Sequence, residues 1–104
     1  MKKEEGLSVA RKFRIALAVA GLPVQRVLVY GSVAHGTSTE DSDLDIAVIC
    51  APFRETRHDE NMVLRTVRSD IDLRISPYCF HPDDFHKEWF GLAQEVERTG
   101  VEVH

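Results

Sequence analysis

Two aspartates, Asp43 and Asp45, stand one residue apart at the start of an apolar run. An earlier apolar run, Val27–Tyr30, leads directly into Gly31 and Ser32. Backbone N–H groups and a hydroxyl at such a turn can hold phosphate oxygens, and carboxylates hold Mg²⁺ together with a substrate's phosphates. An apolar strand, a Gly-Ser turn and two carboxylates at i and i+2 therefore indicate a site for a nucleoside triphosphate and its magnesium.

A third carboxylate, Asp72, lies in a segment of alternating polarity that predicts a strand over Asp70–Ser76. Side chains alternate between the two faces of a strand, so Asp43 and Asp45 share one face. The segment 52–69 is long enough for a helical crossover, which predicts that the two strands are parallel neighbours with their starts together. The three carboxylates are therefore expected to converge on one side of the sheet.

Three carboxylates gathered in this way require a cation. Two unit charges about 4 Å apart repel by roughly 4 kcal/mol at an effective dielectric of about 20. Without a cation, one or more of the groups would take up a proton. Two Mg²⁺ ions would more than neutralise the three charges and would leave positive charge for phosphate oxygens.

The elements that must position these residues follow from hydrophobic spacing and from turn residues. The chain is expected to be one α/β (α+β) domain over 1–104, with a small mixed sheet and helices packed on one face. The buried face of the last helix is expected to include Phe85, Trp89 and Val96. The predicted elements are a helix with its apolar stripe from Leu7 to Ala20, strands at Val24–Tyr30, Asp43–Cys50 and Asp70–Ser76, a helix at Arg54–Arg68, a helix that begins at Pro82 and is capped by Gly100, and a final strand from Val101 to Val103.

Composition narrows the class of protein. The formal net charge of −4 argues against a nucleic-acid binder, which usually carries a basic stripe. No apolar run is long enough for a membrane span, and we expect neither a signal peptide nor a membrane anchor. Cys50 and Cys79 lack the spacing of metal ligands and are expected to be reduced, packed thiols. These features predict a cytoplasmic protein.

The combined spacing of Gly31-Ser32-Val33-Ala34-His35-Gly36 and Ser42-Asp43-Leu44-Asp45 resembles the signature of the DNA polymerase β-like nucleotidyltransferase superfamily. The small size is similar to that of its minimal nucleotidyltransferase (MNT) branch. The resemblance extends through Asp72-Leu73-Arg74-Ile75 and Pro82-Asp83-Asp84-Phe85, and so covers most of the chain from about Val24 onward.

The resemblance implies Mg²⁺-dependent transfer of a nucleoside monophosphate, usually AMP from ATP, to a hydroxyl group. It implies that three carboxylates bind two Mg²⁺ ions and carry the catalysis, with Asp72 also a candidate base. The implied metal-binding and catalytic residues are Asp43, Asp45 and Asp72, and the implied nucleotide-binding residues are Gly31, Ser32, Gly36 and Ser42.

The acceptor is expected to be a partner, because no part of the predicted domain is left to hold one. The resemblance implies a helical HEPN-type toxin as that partner, with this chain as its antitoxin; a second copy completing the cleft is an alternative. Two other functions stay open. One is a transferase for small alcohols, similar to aminoglycoside-modifying enzymes. The other is a non-catalytic antitoxin that neutralises by binding, since Val33 stands where many MNT members carry arginine.

Overall fold

The structure is a computed structural model that describes residues 1–104. It contains a four-stranded sheet, four α-helices and one 3-10 helix, and the predicted mixed α/β class is confirmed. No helix has both the length and the apolar content needed to cross a membrane. The elements are α1 (Lys3–Val19), β1 (Val24–Tyr30), α2 (Gly31–His35), β2 (Leu44–Cys50), α3 (Arg57–Arg68), β3 (Ile75–Phe80), the 3-10 helix (Pro82–His86), α4 (Gly91–Thr99) and β4 (Val101–Val103).

The strands follow the order β3-β2-β1-β4. β1 pairs antiparallel with both β2 and β4, whereas β2 and β3 are parallel and are joined through α3. The predicted parallel pairing of the second and third strands is confirmed. In the β1–β2 pair, Tyr30 lies opposite Asp45, so the last residue of β1 is beside the second residue of β2.

Both faces of the sheet are covered. The first hydrophobic cluster packs α1 and α3 against one face and includes Phe13, Leu44 and Leu64. The second packs α4 against the other face and includes Ala47 and Val96. Helices were predicted on one face of the sheet only, but they cover both faces. The second face can be covered because the face that carries Asp45 is apolar over the rest of its length.

The third strand differs from the prediction. It covers Ile75–Phe80, and residues 69–74 form turns between α3 and that strand. Pro77 lies inside β3, where its missing N–H would normally disfavour a strand. It is tolerated because β3 is at the edge of the sheet and needs a hydrogen-bonding partner on one side only.

The predicted last helix is divided into two parts, and the expectation that Trp89 is buried is wrong. The chain leaves the helical conformation at Lys87, and α4 begins only at Gly91. Trp89 lies in the connection and is 78% exposed. The buried carboxylate of Asp84 accepts hydrogen bonds from the His81 N–H and from Arg57, which ties the start of the 3-10 helix to α3.

Candidate active site

The centre of the candidate site is the contact between the turn after β1 and the carboxylate of Asp45. Gly31 has φ +72°, in the left-handed region that favours glycine. A Cβ atom at Gly31 would overlap Oδ2 of Asp45. The glycine therefore serves both the sharp exit from β1 and the close approach of the backbone to the carboxylate.

The other predicted nucleotide-binding residues lie in α2 and in the loop that follows it. Ser32 is the second residue of α2, and its carbonyl accepts a hydrogen bond from the Thr37 N–H at 3.0 Å. Gly36 ends α2 with φ +75°. The Ser42 hydroxyl accepts a hydrogen bond from the Thr39 N–H at 2.8 Å. Gly36 and Ser42 thus shape the loop that delivers the chain to Asp43 and Asp45.

Val33 is a core residue in this protein. Its side chain is fully buried in the first cluster and contacts α1 at Gly6, where an added Cβ would lie 2.6 Å from Val33 Cγ1. An arginine here could not keep that packing without burying its charge. The arginine of many MNT members therefore has no equivalent at this position.

Asp45 is half-buried, and its carboxylate has neither a hydrogen bond nor an ion pair. Burial raises its pKa, and the negative charges of Asp43 and Glu95 raise it further. Burial also raises the pKa of the Tyr30 hydroxyl to about 12, with Asp45 and Glu95 adding to the effect. The site therefore concentrates negative charge that no side chain of the protein balances.

The structure does not bring Asp72 into this group, which corrects the expected convergence of three aspartates. Asp72 lies in the turn before β3 and forms an ion pair with Arg74 at 2.7 Å. Arg74 also contacts Glu5 of α1 at 3.4 Å, on the side of the sheet opposite to Asp45. The hydrogen bond from Arg74 lowers the pKa of Asp72.

The residue of β3 that lies beside Asp45 is Ser76, which pairs with it in the parallel register. Neither Ser76 nor Glu95 was singled out by the sequence patterns. Ser76 could not be placed beside Asp45 because the sequence predicted the third strand over Asp70–Ser76 and the structure has it over Ile75–Phe80. The one sequence feature that could have indicated Glu95 is its position next to Val96, which lies on the apolar stripe of α4.

A second group of possible metal ligands lies elsewhere, where Glu60, Cys79 and His81 place their donor atoms within 4.8 Å of one another. This group already has hydrogen-bonding partners. An Arg57 N–H lies 2.9 Å from His81 Nδ1, so Nδ1 must accept and Nε2 carries the proton that it donates to Glu60 at 2.7 Å. A metal on Nε2 would have to displace that proton. We interpret the group as a structural network that joins α3 to the 3-10 helix.

Cys79 of this network also contacts the other cysteine. Both thiols are free and buried, with Sγ of Cys50 and Sγ of Cys79 3.1 Å apart. Their hydrogen bond lowers the pKa of Cys50 and raises that of Cys79.

The residues around Asp45 suit Mg²⁺ and phosphate. Their metal donors are carboxylate and hydroxyl oxygens, which Mg²⁺ prefers to sulfur or imidazole. The unbalanced charge at Asp45 would be neutralised by a divalent cation, and the missing side chain at Gly31 lets the Asp45 carboxylate lie against the turn.

Comparisons with known proteins agree with this geometry. Residues 18–67, which include the Gly31 turn and both aspartates, match the family described as Polymerase beta, Nucleotidyltransferase. No curated protein matches the chain in sequence.

Several solved structures share its fold. A candidate nucleotidyltransferase from Sulfolobus solfataricus is 17% identical with a TM-score of 0.65, over 96% of this chain and 80% of that one. A toxin-antitoxin complex with AMP-PNP is 22% identical with a TM-score of 0.64, over 88% and 70%. A mutant of the toxin-antitoxin pair MntA-HpeT is 22% identical with a TM-score of 0.62, over 89% and 69%. Residues 18–67, with the strand, turn and aspartates, therefore match the nucleotidyltransferase family, and the chain shares the fold of these solved structures.

Proposed function

We propose that this protein transfers AMP from ATP to a hydroxyl group of a partner protein. The observation that carries the proposal is the close approach of the Gly31 turn to the unpaired carboxylate of Asp45, two residues from that of Asp43. The same segment lies within the residues that match the nucleotidyltransferase family.

In this proposal, Asp43 and Asp45 hold divalent cations, and Gly31 and Ser32 hold the triphosphate. The first N–H groups of a helix have no partner within it, so those at the start of α2 are free to donate to phosphate oxygens. Bound Mg²⁺ would supply charge neutralisation of the phosphates. The acceptor oxygen forms a bond to the α-phosphorus, the bond from that phosphorus to the β-bridging oxygen breaks, pyrophosphate leaves, and the hydroxyl proton passes to solvent.

The partner is proposed to be a helical toxin of the HEPN type, with this chain as its antitoxin. Support comes from two of the similar structures, which are toxin-antitoxin complexes, one of them with AMP-PNP. A protein acceptor would bring its own hydroxyl to the exposed side of the Asp43–Asp45 pair.

The test is transfer of label from α-labelled ATP to the candidate partner in the presence of Mg²⁺. We expect the label on the partner to fall to background in Asp45→Asn. The matched control is Asp41→Asn, which changes an exposed aspartate of the same loop and should leave the labelling unchanged. Full labelling by both Asp43→Asn and Asp45→Asn would rule out the proposed site.

One observation favours a second function, a nucleotide-binding antitoxin that transfers nothing. Ser76 offers a hydroxyl at the β3 position beside Asp45, where a third carboxylate was expected. Calorimetry separates the two functions. Mg²⁺-dependent ATP binding without any labelling of the partner would support the binding module, whereas labelling would exclude it.

A further inference from the structure

We propose that Glu95 of α4 supplies the third carboxylate of this site, in place of a residue on β3. The inference rests on the proposed function, since it assigns a role toward the same cation and nucleotide. It arises from three features of the fold: the register of β3, the position of α4, and the distribution of paired and unpaired acids.

The register excludes β3 as the source of the carboxylate. Ser76 is the β3 residue paired with Asp45, and the next position on that face is Tyr78, opposite Ala47. Of the two aspartates in the turns before β3, Asp70 is exposed and Asp72 is held by Arg74. No carboxylate of β3 therefore reaches Asp45 along the sheet.

The position of α4 brings a carboxylate to the same face from above. Ala93 and Val96 of α4 pack in the second cluster together with Tyr30, the cross-strand partner of Asp45. Glu95 directly precedes Val96 and is half-buried. α4 then ends one residue before β4, where Val101 pairs with Val29 of β1. The last turn of α4 thus lies over the end of β1, where the Gly31 turn begins.

The pairing of acids separates Glu95 from the structural carboxylates. Of the 17 acidic residues, six are buried or half-buried. Two of these six, Asp45 and Glu95, have no cationic partner and no hydrogen bond to the carboxylate. The other four each have an arginine nitrogen within 3.6 Å: Glu60, Asp72, Asp84 and Glu102.

The two unpaired acids lie on the same face of the sheet, because α4 packs there beside Tyr30. The Glu95 charge reaches both Asp45 and the Tyr30 hydroxyl, which raises the electrostatic free energy of the free protein. A divalent cation between such groups turns their repulsion into attraction. Glu95 therefore has a role when cation and nucleotide are bound, and it opposes stability when they are absent.

The experiment replaces Glu95 with Gln, which keeps the shape and removes the charge. Mn²⁺ with ATP is the probe, measured by calorimetry, and thermal unfolding of the free protein is the second measurement. We expect Glu95→Gln to weaken Mn²⁺-dependent ATP binding about 10-fold and to raise the melting temperature of the free protein. Glu97→Gln, an exposed change in the same helix, is the control and should alter neither quantity.

A relocation variant makes the test independent of damage to α4. Ser76→Asp combined with Glu95→Gln places a carboxylate beside Asp45 from β3 and should recover binding to within about threefold of the unchanged protein. Failure of this double variant, when Glu95→Gln alone is folded and weak, would assign Glu95 to packing and overturn the inference.

The outcomes also separate the inference from the proposed function. If Asp45→Asn abolishes Mn²⁺-dependent ATP binding and Glu95→Gln leaves it unchanged, the third-carboxylate role is wrong and the site stands. If Asp45→Asn has no effect on that binding, the proposed function fails as well.

Discussion

The replacement of Gly31 by alanine tests the contact on which the candidate site depends. At φ +72°, a residue with a Cβ costs about 1–2 kcal/mol relative to glycine. The new methyl group would also overlap the Asp45 carboxylate. Overpacking of this kind adds typically about 1–3 kcal/mol, so the free energy of unfolding should fall by about 2–5 kcal/mol.

Gly21 offers a matched control because it separates the backbone cost from the contact. It has φ +79°, and a Cβ there would meet nothing within 4 Å. Gly21→Ala should therefore lose only the backbone part, about 1–2 kcal/mol. For a domain of this size, each kcal/mol corresponds to a melting temperature shift of about 4–8 °C, so thermal unfolding resolves the two variants.

A double-mutant cycle then isolates the contact. Asp45→Ala in the Gly31→Ala background should recover the part of the loss that exceeds Gly21→Ala, because no carboxylate remains for the methyl group to displace. In the Asp45-containing protein, Gly31→Ala should also abolish Mg²⁺-dependent ATP binding, whereas Gly21→Ala retains it. Equal destabilisation by the two glycine variants, with no coupling to Asp45, would refute the close approach of turn and carboxylate.

Three further substitutions test the parts of the structure that differ from the sequence predictions. Asp72→Asn should leave ATP binding intact in calorimetry and lower stability by less than about 1 kcal/mol, since its ion pair with Arg74 is part-exposed; a complete loss of binding would return Asp72 to the site. Asp84→Asn should destabilise the fold by about 3 kcal/mol in urea unfolding at neutral pH, because it removes the buried negative charge that Arg57 and Lys87 face. Burial raises the pKa of Asp84, but hydrogen bonds from Arg57, the His81 N–H and Lys87 outweigh this effect and lower the pKa. The stabilisation is therefore complete above the pKa of Asp84 in the unfolded state and is lost as pH falls through its pKa in the native state. The difference in stability between variant and parent should shrink in acid. Trp89→Ala should change the free energy of unfolding by less than about 0.5 kcal/mol, and a loss of several kcal/mol would show that the ring is packed.

The β1–turn–β2 unit was predictable because its signals are local. Val24–Tyr30 is rich in β-branched residues and leads into glycine, and the structure has β1 over those residues. The alternation after Asp43 placed Asp45 and Leu44 on opposite faces, and the burial along β2 follows that alternation at its start. Each inference used residues only one or two positions apart.

The prediction of one continuous last helix from Pro82 was wrong. Pro82 and the early acids indicate a helix start, and one does begin there, but Asp84 is recruited by Arg57 from another element. The chain becomes extended at Lys87, and Trp89 lies in the connection to α4. The hydrophobic spacing within 82–96 does not indicate that Asp84 pairs with a residue of α3.

The error at the third carboxylate shows what alternation cannot specify. Positions 72 and 76 have the same parity, so a strand drawn through either residue puts it on the same face, and a shift of four residues leaves the polar pattern in agreement. The register is set instead by which residues α3 returns to the sheet, and Ile75 and Cys79 enter the first cluster with Leu64. Packing at Ile75 brings Ser76 beside Asp45 and leaves Asp72 in the turn before the strand. β3 therefore offers no carboxylate beside Asp45, whereas the half-buried and unpaired Glu95 belongs to α4, which packs on that face of the sheet.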